Sequence, residues 1–353
     1  MLAVMLTEFG PPSVLTPAEW PDPVPGPGQV VVEAAFANIT FVETQIRAGR
    51  PPNPAMAPVL PAVLGNGIGG VVTVVGEGAD PALAGTRVVT GTGGRGGYAQ
   101  RCAVPAEGLI QVPGPVPTDA AVALLADGRT ALALAGAAGL RPGETVLVEA
   151  AAGGVGSLLV QLAKRAGARV VALAGGPRKL AAARELGADL AVDYREAGWA
   201  EAVRRDAGPV DVVFDGVGGE AGRDAFGLLR PSGRYVGFGM ASGRFAEIPA
   251  AGGSGITRLS FGPIAPAQSA ELTRRALDLA ASGTLHPVIG QRFPLDRAAD
   301  AHAAIEARAT IGKTLLIANP EGPLRAAGAG TRHSLCRVPA PAGHAAAYRT
   351  VSS

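Results

Sequence analysis

The sequence predicts an α/β chain in which a doubly wound parallel sheet, with helices on both faces, is joined to a smaller β-rich domain. Three observations predict it. Short β-type runs cut by Pro and Gly fill the chain up to about residue 118. Strand-like and helix-like segments alternate from there to residue 239, as parallel strands with crossover helices require. A glycine cluster stands at the first strand-to-helix turn of the alternating part.

In chain order, MLAVMLTEFGPPS reads as an edge strand entering a turn, without the basic start or long apolar stretch of a secretory leader. Residues 30–37, 69–79 and 86–93 follow as β-runs. From Asp119 the texture is helical. Strand VLVEA (146–150) then leads through the glycine cluster into a helix. Strand 168–175, helix 177–188, strand 189–194, a short helix near 199–206, strand 210–218, helix 220–230 and strand 233–239 complete the alternation. A further helix is expected over 267–282, and 286–318 is of mixed texture, ending in TLLIA. The expected division is a catalytic domain over 1–118 completed by 284–318, and a nucleotide domain over 119–283. The Gly-, Pro- and Ala-rich stretch 319–353 shows no period and is expected to be a disordered tail.

Composition narrows the function classes. Of the 353 residues 48% are hydrophobic and 17% charged, enough for large cores and inconsistent with overall disorder. A net charge of +2 offers no basis for a nucleic-acid partner. No apolar run reads as a membrane span. The cysteines, Cys102 and Cys336, are too few and too far apart for a disulfide framework or a zinc cluster, and a reducing cytoplasm fits them. His333 and His344 flank Cys336 in the tail at spacings that suit no metal site, and His286 and His302 read as structural.

The glycine turn has the spacing Ala150-x-x-Gly153-x-x-Gly156. Gly153 and Gly154 let the backbone turn and approach a pyrophosphate, and Gly156 lets helix and strand pack closely. The turn from Ala152 through Gly153, Gly154, Val155 and Gly156 is thus the expected phosphate cradle, with the anion facing the helix N-terminus. The next strand ends in Ala174, Gly175 and Gly176, with none of the acid that holds a ribose 2′-OH in NAD sites. Arg178, Lys179 and Tyr194 lie just beyond and suit a 2′-phosphate, so the expected cofactor is NADPH.

Several ordered segments resemble one family. TFVETQIRAG (40–49), GGYAQRCAVPAE (96–107), AAAGGVGS, VDVVFDGVGG, LRPSGRYVGFG and IGKTLL resemble the zinc-independent medium-chain dehydrogenase/reductases of the zeta-crystallin-like NADPH:quinone oxidoreductase type. The resemblance runs from about Met1 to Ile317. It implies a GroES-like catalytic domain, a Rossmann domain, and NADPH in the cleft between them. It further implies a nicotinamide reaching Thr40, Thr130 and the loop around Phe238, with Val217 and Gly239 beside it. A homodimer formed through Rossmann edge strands is also implied. The zinc enzymes of the superfamily use a Cys, a Gly-His-Glu segment and a four-cysteine lobe. Here the corresponding stretch is LGNGIGG (64–70) and the lobe cysteines are missing.

The resemblance implies hydride transfer to a quinone or to the β-carbon of an α,β-unsaturated carbonyl. The chain departs from the family by Thr40 where Asn is usual and Glu43 where Asp is usual, with Asn38 two residues earlier on the same side of the β-run. The Thr40 hydroxyl is the candidate catalytic donor to the carbonyl oxygen, and packing against the cofactor is its alternative role. Tyr98 reads as packing in its turn. Two other readings stay open: a biosynthetic tailoring reductase for one unsaturated or polycyclic intermediate, and a non-catalytic NADPH-binding protein.

Overall fold

Strand pairing in the computed structural model, which describes residues 1–248, 255–260, 262 and 264–319, sorts the chain into three sheets. The chain divides into the units Met1–Pro320 and Glu321–Ser353, and the described residues all belong to the first. The expected tail lies outside the described residues, apart from Asn319. That side chain donates to Ala34 O at 3.1 Å and Gln100 O at 3.2 Å, so it belongs to the folded part.

Strand β1 (Leu2–Leu6) is the middle strand of a three-stranded sheet, between β2 (Leu15–Glu19) and β4 (Ala62–Val63). This corrects the edge expected from sequence. Ala3 to Leu6 are all apolar and all buried, without polar alternation, which marks a strand covered on both faces. The larger sheet is built on β3 (Gln29–Ile39), which pairs antiparallel with β5 (Gly67–Val75) and β7 (Arg101–Pro105); β5 in turn pairs with β6 (Arg87–Gly91), and β6 with β8 (Ile110–Gln111). The β3–β5 register shifts between Ala34 and Phe36, opposite Gly70, where a Cβ would lie 1.9 Å from Glu33 O. Only glycine admits that approach. Helix α1 (Phe41–Arg47) leaves the end of β3.

Helix α2 (Thr118–Ala138) follows, closed by Gly139 at φ 58°, the left-handed C-terminal position that glycine fills without a Cβ penalty. It is long and apolar enough to cross a membrane by length and composition, a point missed in the sequence reading. Most of it is buried instead, against β3, β5 and β6 on one side and nucleotide-side helices on another, which explains its apolar surface.

Beyond α2 the alternation appears as β9 (Thr145–Val148), α3 (Gly154–Arg165), β10 (Arg169–Ala174), α4 (Pro177–Glu185), β11 (Leu190–Asp193), α5 (Trp199–Ala207), β12 (Val210–Asp215), α6 (Gly219–Phe226), β13 (Leu229–Gly237) and β14 (Thr257–Ser260). The six strands pair parallel in the order β11-β10-β9-β12-β13-β14. This is the doubly wound Rossmann sheet. Strand β9 is buried on both faces, and α3 covers it with Leu158, Leu159, Val160 and Ala163.

Helix α7 (Pro266–Ala281) packs on α2. The chain then returns through β15 (Gln291–Pro294) and α8 (Ala298–Glu306) to β16 (Thr314–Ile317), which lies antiparallel on Phe36–Ile39 of β3. On this sheet membership we propose the division into 1–118 with 284–318, and 119–283.

Candidate active site

The order of the Rossmann sheet reverses between β9 and β12, so the loops leaving these two strands open a crevice at their C-terminal ends. The loop after β9 is the predicted phosphate turn. Ala150 stands at φ 48°, a left-handed conformation that costs a residue with a Cβ about 1–2 kcal/mol. Gly153 N donates to Ala150 O at 2.7 Å, and α3 starts at Gly154. A Cβ on Gly156 would lie 2.2 Å from Ala150 O, and one on Gly154 would lie 2.0 Å from the Asp127 carboxylate. Position 156, which meets backbone, therefore requires glycine, while a side chain at 154 would displace the Asp127 carboxylate. The N–H groups of the first turn of α3, from Gly154 to Gly156, have no partner within the helix and suit an anion. Gly312 N donates to Ala152 O at 2.7 Å, laying the segment before β16 along the turn.

At the other end of the crevice, β10 gives way to Gly175 and Gly176. Contrary to the expectation from sequence, a carboxylate does reach this turn. The parallel register sets Asp193, last residue of β11, beside Ala174, and its Oδ2 accepts the Gly176 N–H at 2.8 Å. Arg195 occupies that acid through Nε and Nη2, at 3.0 and 2.7 Å, and holds its pKa down at about 2. The guanidinium lies over the glycine turn, 2.8 Å from where Gly176 would carry a Cβ, and the Tyr194 hydroxyl is 3.4 Å from the same point on Gly175. Lys179 is half-buried and donates to Arg308 O at 2.7 Å. Burial lowers its pKa, helped by the charges of Arg308 and Arg195. Lys179, Tyr194 and Arg195 thus gather at one turn, while Arg308, whose Nη2 donates to Ala241 O at 2.9 Å, lies near enough for its charge to act on Lys179. Arg178 is exposed at the start of α4. Arg195 was missed from sequence although it adjoins Tyr194; Arg308 lies 129 residues beyond Lys179 and gives no local signal.

Across the crevice, Phe238 N and Gly239 N both donate to Asp215 O, at 2.9 and 3.2 Å. The Phe238 ring lies against Gly216, where a Cβ would meet it at 2.7 Å, and Gly239 passes so close to Gly216 O that its own Cβ would be 2.5 Å away. Val217 is buried between these segments. Thr130 is half-buried in the second half of α2, and no described hydrogen bond ties it to the crevice.

Thr40 caps α1 and is partly exposed. Its N–H and its Oγ1 both donate to Glu43 Oε2, at 2.6 and 3.0 Å, so the Glu43 side chain caps the helix start. Glu43 is buried, and burial raises its pKa against the opposing hydrogen bond from Thr40 N–H and the charge of Lys313. Behind it is a polar cluster that no motif announced. The Tyr98 hydroxyl lies 2.9 Å from His302 Nε2, and Arg47 pairs with Glu306 and Gly10 O. Burial, then the Arg47 charge, lowers the His302 pKa to about 3, so this histidine is neutral. Lys313 Nζ holds Asp127 at 2.9 Å, and Asp127 in turn abuts Gly154. The pair links α2, the phosphate turn and the segment before β16. Asn38 is fully buried, and neither atom of its amide has a partner.

Among the described residues no three His, Cys, Asp or Glu side chains gather as a metal site. Cys102 is buried, with its thiol pushed up to about 12.

Comparison with known proteins agrees with this arrangement. The alcohol dehydrogenase GroES-like domain matches residues 26–114, and the zinc-binding dehydrogenase family matches residues 186–316. A quinone oxidoreductase of Pseudomonas aeruginosa is 32% identical over 89% of this chain and 98% of its own length. A 2-haloacrylate reductase from a Burkholderia species is 34% identical over 83% of this chain and 92% of its own. The structure of Escherichia coli quinone oxidoreductase complexed with NADPH superposes with a TM-score of 0.81 at 29% identity, covering 90% of this chain and all of that one.

Proposed function

Because the chain belongs to the quinone oxidoreductase family of medium-chain dehydrogenase/reductases, we propose that it is an NADPH-dependent oxidoreductase that reduces a quinone or an α,β-unsaturated carbonyl without a metal. The observation that carries the cofactor reading is the cluster of Lys179, Tyr194 and Arg195 at the Gly175–Gly176 turn, with Arg308 beside Lys179, at the far end of a crevice that begins with the phosphate turn. Gly153 to Gly156 would hold the pyrophosphate, and the cluster would hold the 2′-phosphate by charge-assisted bonds. Val217, Phe238, Gly239 and Thr130 would border the nicotinamide, and Arg178 would add charge at the rim. Bound NADPH would supply a hydride.

On the substrate side, Thr40 is the proposed donor to the carbonyl oxygen. A hydroxyl has one hydrogen, and an ionised Glu43 would claim it. In the structure Thr40 Oγ1 donates to Glu43 Oε2, and in the proposed role it would turn that hydrogen to the substrate oxygen, its hold by Glu43 loosened by the burial that raises the Glu43 pKa. The Thr40 hydrogen is then available where negative charge develops. The proton that completes the reduction comes from water. Metal independence rests on residue types: 64–70 carries no zinc-ligating side chain, and Cys102 is a buried thiol. The departure at Thr40 favours a second reading, a tailoring reductase for one particular unsaturated intermediate. We further propose a cytoplasmic homodimer paired along β14, which with β11 is one of the sheet's two edge strands among the described residues; light scattering tests the dimer.

The deciding experiment is fluorescence titration of wild type and Lys179→Ala with NADPH and NADH, followed by NADPH oxidation with a panel of quinones and enones. Wild type is expected to prefer NADPH, and the variant to lose about tenfold in NADPH affinity, the scale of one charged hydrogen bond, with NADH unchanged. Equal affinities in wild type would overturn the 2′-phosphate site. Binding without turnover on any acceptor would leave a cofactor-binding protein.

A further inference from the structure

The floor of the crevice holds two acids with no part in the reaction just described. Glu149 directly follows β9 and Asp215 ends β12, so they stand at the tips of the two strands between which the sheet reverses. Glu149 is 0% exposed and Asp215 1%. Both reach the same N–H group: Val217 N lies 2.9 Å from Asp215 Oδ1 and 3.2 Å from Glu149 Oε2. Gly218 N also donates to Asp215 Oδ1, at 2.6 Å, and the Tyr235 hydroxyl donates to Asp215 Oδ2. Asp215 therefore has donors on both oxygens, while Glu149 Oε1 has no partner.

Two carboxylates this close, away from water, cannot both ionise, and one shared proton resolves the conflict. The surroundings give no relief. The other charged side chain acting on Glu149 is a third acid, Asp224 of α6; Tyr235 faces the pair from β13, and Arg258 of β14 acts on that tyrosine. Burial first, then the hydrogen bond and charge of Asp215, raises Glu149 well above the usual carboxylate range, against the Val217 N–H.

We propose that Glu149 and Asp215 form a carboxyl–carboxylate pair, with the proton on Glu149, and that this pair is a positioning element for the Val217–Gly218 lip of the cofactor crevice. While the proton is held, the pair carries one negative charge and cradles both lip N–H groups. Its loss places a second charge beneath a crevice built to receive an anionic pyrophosphate, and the carboxylates repel each other. Cofactor binding and proton retention are therefore linked, and affinity falls as pH rises through the pair's pKa. The cofactor-free protein follows the same sign. A carboxyl whose folded pKa is raised contributes stability that is fully present below the unfolded value and is lost as pH climbs through the folded one.

This inference rests on the NADPH reading, and its test separates the two. Glu149→Gln keeps the shape and a hydrogen-bond donor but cannot ionise. The NADPH dissociation constant and the thermal midpoint of the cofactor-free protein are measured for wild type and variant from pH 6 to 9. The expected result is that wild-type affinity falls about tenfold relative to the variant across that range, the equivalent of one pKa unit of linkage, and that the wild-type midpoint falls while the variant's stays flatter. Superimposed midpoint profiles would overturn the shared proton. Diverging midpoints with parallel binding profiles would overturn the coupling to the lip. Absence of NADPH binding by wild type would overturn the cofactor reading and the positioning role with it, while the midpoints still decide the pair. If Glu149→Gln does not fold, Asp215→Asn, which removes the other charge, must flatten the wild-type midpoint profile.

Discussion

The two ends of the proposed active site are built in opposite ways. The phosphate turn is assembled from consecutive residues, Ala150 to Ser157, whose backbone does the work and where Gly156 is demanded by the nearby Ala150 carbonyl. The Thr40 corner is assembled from α1, from Tyr98 after β6, from His302 on α8 and from Lys313 before β16, and there side chains do the work. The phosphate turn tolerates little change in backbone shape, and distant segments meet it at its edges, where Asp127 abuts Gly154 and Gly312 N–H donates to Ala152 O. A dispersed site depends on every segment arriving in place, and it buries polar groups that are costly when one partner is lost.

Substitutions at four positions probe that contrast. The largest effect is expected from Thr40→Val, which keeps the branched shape and removes the hydroxyl. Acceptor reduction should fall about 10²–10³-fold in kcat/KM, the usual loss for one oxyanion donor, with NADPH affinity unchanged. Full activity would reassign Thr40 to packing, and Thr40→Ser should restore part of the loss. Next, Tyr98→Phe leaves His302 Nε2 without its partner in the core, and should cost about 1–3 kcal/mol in urea unfolding without altering cofactor affinity. The same histidine sets an acid limit. Its folded pKa of about 3 lies below the unfolded 6.5, so the stability it contributes is present above 6.5 and is lost as pH falls toward 3. His302→Gln should flatten that part of the stability profile. The smallest effect is at the phosphate turn, where Ala150→Gly relieves a positive φ and should stabilise by about 0.5–1 kcal/mol in thermal unfolding, the gain being partly offset by the freedom glycine adds to the unfolded chain. A loss of stability there would mean that the methyl group packs usefully despite the strain.

Legibility in the sequence follows the same division. The Rossmann strands and helices were readable because each carries its own period and its own breaker, and the phosphate turn because its requirements are local. The Ala150 departure from the glycine spacing was visible, but its positive φ was not. Asp193 escaped notice because a parallel register, not sequence proximity, brings it to Gly176. Arg308 and the Lys313–Asp127 pair escaped because they meet their neighbours only after the chain returns from the nucleotide half. Helix α2 is readable as a helix but not in its length of apolar surface, which burial against several neighbours explains. Strand β1 misled through its position at the start of the chain, although its unbroken apolar run already indicated cover on both faces.

The pairing of β16 with β3 also sets a timetable. Ile39 waits for Thr314, ~275 residues later, before the Phe36–Ile39 end of its strand acquires this neighbour. At synthesis rates of roughly 5–20 residues per second that interval is on the order of 14–55 s, ample for the Rossmann half to fold meanwhile. During that interval an apolar strand edge is open to other nascent chains. A ribosome-bound chain ending before β16 should therefore be the stage at which this protein depends most on chaperones, and the stage at which slow or stalled translation does the most harm.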